Sequence, residues 1–480
     1  MYMGMDEVQE GEAGISWAEE YDVVVIGSGF AGLAAALEAR LGGSEVIVLE
    51  KMRIPGGNSA ISGGLFAAAG SPLQHRDGIE DRPELMLEDM LKAGMELNHP
   101  ELAHVVASNS SETLKWTIDY LGVAYKDNLN QLGGHSVPRT YITKTGTGSG
   151  IIQPMLEKCR HLGIEVRMRA RFSEFVQAPD GRVTGVAIQA GYYHPNEESG
   201  TLQYIRARQG VVLATGGFGG DVSFRSIQDP RLTHLVDTTN HSGATAEGLI
   251  AAMGIGGSPL QLCWIQLGPW ASFDEKGWGV GSMFTLLAGF PYGIMVDANT
   301  GKRFVNETSD RRLRTDAMLM NDRTPVAIVD SEGVSHATTL EKCLKRGVVK
   351  AFNSIEELAT YNMIPLEALR ETLERYNLYL QHGRDAEFGK PLQAGLKPIG
   401  KPPYYSIRLL PKVHYCMGGI KIDTQSRVVH IKSGRPIEGL YAAGEVTGGI
   451  HGASRLGSNS VVECLVFGRI AGKNVCREMH

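Results

Sequence analysis

Apolar and polar positions along this chain switch between the period of strands and the period of helices. Residues 21–26 (YDVVVI) are a short β-branched run that predicts a buried strand. Residues 33–41 are rich in alanine and leucine and predict a helix, which Gly42 and Gly43 end. Residues 46–50 (VIVLE) predict a second strand, so that residues 21–50 form a β–turn–α–β unit. Acidic and apolar residues mixed over 81–122 predict helices, and 164–190 predict strands around a turn at Asp180 and Gly181. Residues 210–217 (GVVLATGG) predict another buried strand that ends in glycines. Charge then nearly vanishes: Asp274, Glu275 and Lys276 are the only charged residues in 248–296, where Trp264, Trp270 and Trp278 also lie. The uncharged stretches 248–273 and 278–296 are long enough to raise the question of a membrane span, but glycine and proline interrupt both, so buried strands and turns are expected there.

Composition narrows the function. The chain has 480 residues and a formal charge of −6, which argues against a nucleic-acid partner. Glycine is the outlier, at 60 residues, and points to tight turns and close backbone approach to a ligand. None of the cysteines (Cys159, Cys263, Cys343, Cys416, Cys464 and Cys476) forms a C-x-x-C pair, so reduced thiols are expected and no metal is. Residues 1–20 read as a loose acidic lead-in without the basic start of a secretory signal, which implies a cytoplasmic protein.

Residues 27–32 read GSGFAG. With glycine this common, chance supplies about one such triplet in a chain of this length, so the motif alone proves little. Its context carries the weight: it follows a strand, opens a helix, and is followed by the acid Glu50 at the end of the second strand. Gly27 serves the tight turn, Gly29 lets a pyrophosphate approach the backbone, and Gly32 lets helix and strand pack closely. The helix N-terminus offers amides and a positive dipole end to phosphates. Glu50 would accept hydrogen bonds from a ribose and disfavour a 2′-phosphate.

Two further runs separate FAD from NAD: GGNSAISGG at 56–64 and GLYAAGE at 439–445. With GEVTGGIHGASRLGSNS at 444–460, they resemble the flavoproteins of the succinate dehydrogenase and fumarate reductase superfamily, and specifically its soluble fumarate reductase branch. The resemblance spans 21–480 and implies an α/β fold, α+β overall. A Rossmann-type FAD-binding domain (21–262 and 415–480) would carry an inserted α+β capping domain (263–414). It implies non-covalent FAD held by Gly27, Gly29, Ala31, Gly32, Glu50, Lys51, Gly57, Asn58, Ser59, Gly63, Gly64, Ala214, Gly216, Glu247, Gly444 and Glu445. The backbone of Val176 would meet the adenine. Ser460 and Val461, at a helix start, would face the flavin's pyrimidine edge. The branch's covalent haem would need C-x-x-C-H, which is absent, and no second G-x-G-x-x-G provides an NADH site, so a separate electron donor is expected.

Reduction of an activated alkene needs a hydride, a proton for the other carbon, and fixed positive charge. Residues 301–311 (GKRFVNETSDR) are similar to the family segment that carries a catalytic arginine, which makes Arg311 the proton donor; Arg312 and Arg314 are its neighbours. His414, followed by Tyr415-Cys416-Met417-Gly418-Gly419, matches a histidine that binds flavin and substrate, Arg455 a carboxylate clamp, and Ser458 a backbone substrate contact.

The departures matter as much. A further substrate-binding histidine of the family falls at Gly268, within WIQLGPW, and a Thr-Glu-x-x-Arg proton relay is replaced by uncharged 281–290 (GSMFTLLAGF). Such a pocket argues against fumarate, whose second charge would be poorly paired among apolar groups. The expectation is an FAD-dependent reductase of a bulky apolar or aromatic enoate or enone. Alternatives are a ketosteroid-type dehydrogenase that forms a C=C bond, a non-catalytic flavin-bound protein and, less well matched, an aspartate oxidase.

Overall fold

The computed structural model describes residues 14–392 and 396–477. Its main sheet has eight strands, six of them in the order Arg427–Val429, Pro436–Ala442, Thr201–Leu213, Glu19–Ile26, Val46–Glu50, Glu165–Met168. The five from Pro436–Ala442 to Glu165–Met168 run parallel. Ala170–Gln177 and Val183–Ala190 form an antiparallel branch on Thr201–Leu213. The predicted β–turn–α–β unit is present, with its helix at Phe30–Leu41. That helix packs on the C-terminal helix Asn459–Val475 through small residues: a Cβ on Gly468 or Gly472 would meet the backbone oxygen of Ala31 or Ala35 at 2.4 or 2.2 Å.

A second sheet of four antiparallel strands is ordered Ile294–Val296, Val326–Val329, Tyr404–Arg408, Lys350–Phe352. The buried apolar residues fall into three clusters. The largest is built around the parallel sheet, and the other two around the four-stranded sheet. Where the chain passes between them, Ile265–Gly268 pairs antiparallel with Lys412–Cys416, so that the outgoing and returning segments hydrogen-bond to each other.

Two sequence expectations need correction. Residues 281–292 are helical rather than strands and turns: Gly281–Phe284, a π-helical turn Thr285–Gly289, then Phe290–Tyr292, before the strand Ile294–Val296. Residues 281–290 are buried on every side, so no amphipathic period marks the helix. Gly281 stands at its first position and Pro291 lies in its closing segment, Phe290–Tyr292. The same misreading applies to 248–254, which belongs to the helix Glu247–Gly254.

The acidic lead-in is also shorter than expected. Residues 1–13 lie outside the described residues, but Glu19 and Glu20 already begin the first strand, where Arg167 (2.8 Å from Glu19) and Arg208 (3.9 Å from Glu20) answer their charge.

Gly32 tests the packing of the nucleotide-binding turn. A Cβ there would lie 1.9 Å from the carbonyl oxygen of Gly27, so Gly32→Ala must push helix from strand. We expect it to cost about 1–3 kcal/mol, read as a lower denaturant midpoint; an unchanged midpoint would show that the turn yields freely.

Candidate active site

Two adjoining cavities open along the C-terminal ends of the parallel strands, the usual ligand position in such sheets. The first is a cleft of about 940 Å³, counted with its opening to solvent. Of the predicted FAD residues, Gly27, Gly29, Ala31, Glu50, Lys51, Gly57, Asn58, Ser59, Ala214, Gly216, Glu247, Gly444 and Glu445 line it. Gly29 ends the turn before the helix and no side chain caps it; the Phe30 amide reaches Ser59 Oγ at 3.0 Å. The next two amides have no acceptor within the helix, which suits a phosphate. Glu50 accepts from the Ser28 amide (3.2 Å) and the Met52 amide (2.8 Å), so its carboxylate is fixed at the cavity edge. Lys51 and Arg171 both pair with Glu247, each at 3.0 Å.

The cradle has the features a dinucleotide needs. Gly444 is left-handed (φ 80°), and a Cβ there would crowd that of Ala31 at 2.9 Å. Thr215 presents a buried hydroxyl without a partner beside Gly216.

Not every predicted contact reaches the cavities. Gly32 and Gly64 do not line them; both serve packing, since a Cβ on Gly64 would meet the Thr147 oxygen at 2.4 Å. Val176 is buried in its strand away from both, and Ala170 and Phe172 of the same strand stand at the first cavity instead.

The second cavity, of about 800 Å³, brings together Arg311, His414, Arg455, Ser458, Ser460 and Val461, with Gly63 at its edge and Asn58, Ser59 and Glu445 shared with the first. Its apolar wall includes Trp270, Trp278 and Leu286. Arg311 is the first residue of the helix Arg311–Leu319, which Asp310 caps. Both Arg311 and Arg455 are buried, and among the described residues neither forms an ion pair with a carboxylate. Arg311 donates to Gln266 Oε1 at 2.8 Å and lies over the Trp270 ring, 4.4 Å from its centroid. Arg455 donates to the Leu456 oxygen at 2.9 Å and lies 4.2 Å from the Tyr415 centroid; its Nε is buried without a partner.

Burial, then the mutual repulsion of Arg311 and Arg455, holds the Arg311 guanidinium well below its ordinary range. Burial also lowers Arg455. His414 is pushed well below 6.5 by burial, then by Arg311 and Arg455, and so is a neutral imidazole. Its Nδ1 lies 2.7 Å from Thr239 Oγ1. Burial pushes Glu445 up to about 7, against the hydrogen bond from the Cys416 amide.

Gln266 escaped the sequence reading. From the strand Ile265–Gly268 it accepts from Arg311 and donates to Ser454 Oγ (3.2 Å) and the Arg455 oxygen (3.0 Å), which ties the two arginine segments together. A buried amide two positions before Gly268 was the available signal. Thr239 and Asn240, which brace His414 and Asn58, were also missed. At Gly268 a Cβ would face the Trp270 ring at 3.2 Å: the indole fills the space a side chain at 268 would need.

Fold and site together define an FAD-dependent oxidoreductase acting on carbon–carbon bonds. The family model described as an FAD binding domain matches residues 22–461, and the chain belongs to that family, within the succinate dehydrogenase and fumarate reductase superfamily. It is 45% identical over 473 residues to the acrylate reductase flavoprotein subunit of Shewanella woodyi, covering 97% of this chain and 93% of the relative. It is 35% identical over 462 residues to a fumarate reductase (cytochrome) of Shewanella frigidimarina, covering 95% and 77%. Among solved structures, a flavocytochrome c3 fumarate reductase in an open conformation superposes with a TM-score of 0.76 at 31% identity, covering 99% of this chain and 81% of that one. A 3-ketosteroid dehydrogenase from Rhodococcus jostii RHA1 superposes with the same TM-score at 26% identity, covering 97% and 99%.

Behind Ser458, His135 is buried with Nδ1 3.3 Å from Arg139 Nη1 and Nε2 2.7 Å from the Gly457 oxygen. Because arginine only donates, Nε2 carries the proton. Burial, then Arg139, pushes this histidine down to about 4 from 6.5. A depressed folded value means that the unfolded chain takes up the proton first. The stability His135 confers is therefore whole above 6.5 and is lost as pH falls toward about 4, at up to about 1.4 kcal/mol per pH unit. Denaturant midpoints at pH 7 and pH 5 should fall more steeply for the parent than for His135→Gln; equal slopes would refute the assignment.

Proposed function

We propose that this protein reduces the C=C bond of 2-enoates that carry a single carboxylate, with Arg455 and His414 holding that carboxylate and Arg311 giving the proton. One observation carries the reading: two buried guanidiniums without carboxylate counter-ions face one cavity beside the flavin cradle. Such charge in so apolar a place calls for an anionic ligand. FAD, when bound, supplies the hydride. The protein's part is to orient the alkene, exclude water and move a proton. Arg455 offers a planar fork to the carboxylate, and neutral His414 can hydrogen-bond it without adding charge. Arg311 aims at the carbon that becomes basic as the hydride arrives, and its depressed affinity for protons makes it a better acid than a solvated arginine.

The wall of Trp270, Trp278 and Leu286 presents no charged group to a second carboxylate and favours an apolar or aromatic substituent on the far alkene carbon. We take residues 263–414 as a capping unit that closes this wall over the flavin. The absence of a haem-attachment motif leaves the electrons to a separate donor, in keeping with the relative named as a flavoprotein subunit. A steroid-dehydrogenase reading shares the fold but leaves the pair of guanidiniums without a task.

Arg311→Ala should keep its flavin absorbance and lose enoate reduction with reduced viologen by about 10²-fold or more; unchanged turnover would refute the role. Across acrylate, cinnamate and fumarate, kcat/KM should be highest for cinnamate and lowest for fumarate. Acrylate above cinnamate would remove the bulky substituent from the proposal, and fumarate above both would remove the single carboxylate.

A further inference from the structure

Arg311 and Leu286 line not only the main cavity but also a smaller one behind it. Its wall includes Arg314, Glu307, Thr308 and Gln131. It leaves about 20 Å³ for water centres, enough for one or two molecules. Thr308 and Gln131 are partly exposed, so this cavity reaches from the surface to the back of Arg311.

Arg314 is the unusual member. It stands three residues after Arg311 on the same helix and is likewise buried. Its contacts are weak: the Glu307 oxygen at 3.3 Å, the Asp310 oxygen at 3.5 Å and the Phe290 ring at 4.8 Å. The Glu307 carboxylate does not pair with it. That group is held by Arg303 at 2.8 Å, with Lys390 at 3.7 Å, and its affinity for protons is lowered, so it stays anionic and is no relay. Apart from Arg311 itself, Arg314 is thus the charged donor in the lining of the small cavity that has no fixed carboxylate partner among the described residues.

We propose that protons reach Arg311 from solvent through this small cavity, with Arg314 as the relay. The inference rests on the role given to Arg311 above. After Arg311 has given a proton to the substrate carbon it is a neutral guanidine. A cavity water gives it a proton and takes one from Arg314, and Arg314 regains its proton from solvent water past Thr308 and Gln131. Only N–H and O–H bonds break and form, and no electrons are exchanged. Burial, which lowers Arg314 to about 10 against the opposing pull of Asp310 and Glu307, makes that transfer easier than from an ordinary arginine. The charged and titratable groups around the pair are Asp310 and Glu307 near Arg314, and Arg455, His414, Tyr415, His135 and His451 near Arg311.

The test compares Arg314→Leu, Arg314→Lys and Thr308→Val holoenzymes. Flavin absorbance gives FAD content, and its perturbation by propionate gives carboxylate affinity. We expect Arg314→Leu to keep both, while kcat falls by about 10²-fold with a raised solvent deuterium isotope effect and a steeper loss at high pH. Arg314→Lys should recover most of kcat. Parent values of kcat and isotope effect in Arg314→Leu, with Arg311→Ala inactive, would overturn the relay alone. An active Arg311→Ala would instead overturn the role of Arg311. If Arg314→Leu fails to bind FAD, Thr308→Val decides: a raised isotope effect with full FAD supports the route, and a parent isotope effect overturns it.

Discussion

At the second cavity, Arg311 and Arg455 are buried with no carboxylate among the described residues bound to them. Burying an unpaired ion costs several kcal/mol even after relaxation, so the surroundings of Arg311 and Arg455 must hold them without neutralising them. The structure does this with weak, distributed acceptors: the π face of Trp270 under one and of Tyr415 under the other, the Gln266 amide, and the Leu456 carbonyl. None of these cancels a charge as a carboxylate would. Arg311 also opens a helix, where the backbone dipole disfavours a cation. Each feature leaves the guanidinium short of stabilisation, and each makes it readier to give up a proton or to accept an anion. A carboxylate beside Arg311 would satisfy the guanidinium and remove that readiness.

That arrangement needs a frame, and the frame is the pair of strands where the chain leaves and re-enters the main sheet's side of the molecule. Ile265–Gly268 carries Gln266, and Lys412–Cys416 carries His414 and Tyr415, with Gln266 opposite Tyr415 in register. One two-stranded ribbon therefore presents the acceptor of Arg311, the ring under Arg455 and the neutral imidazole. Because the two strands pair, a displacement of the ribbon would move all three together.

What could be read from sequence follows the range of the interactions. The nucleotide-binding turn is local: GSGFAG, its strand and its helix need only their neighbours, and the glycines fall where left-handed backbone or a missing Cβ is required. Residues such as Gln266, Thr239 and Asn240 owe their places to partners far along the chain and carry no motif of their own. Val176 was named from a resemblance in a weakly matched stretch, and in the structure its strand mates Ala170 and Phe172 stand at the cavity. The helical 281–292 was misread because it is buried on all sides, and a helix without a polar face has no period to betray it.

The exchange at Gly268 then explains more than a lost ligand. With no side chain at 268, the Trp270 indole occupies that space, and it is the same ring on which the Arg311 guanidinium rests. An indole there gives a second carboxylate no imidazole to pair with, and it meets Arg311 with a π face rather than with a hydrogen-bond acceptor. In a less polar surround the attraction between a guanidinium and a substrate anion strengthens, while the cost of keeping the cation charged in the empty site rises. In the proposed reading, the preference for one carboxylate and the acidity of the arginine both depend on that one aromatic side chain. A change at Trp270 that restored a polar group would shift both together, because the same desolvation acts on the ligand and on the acid.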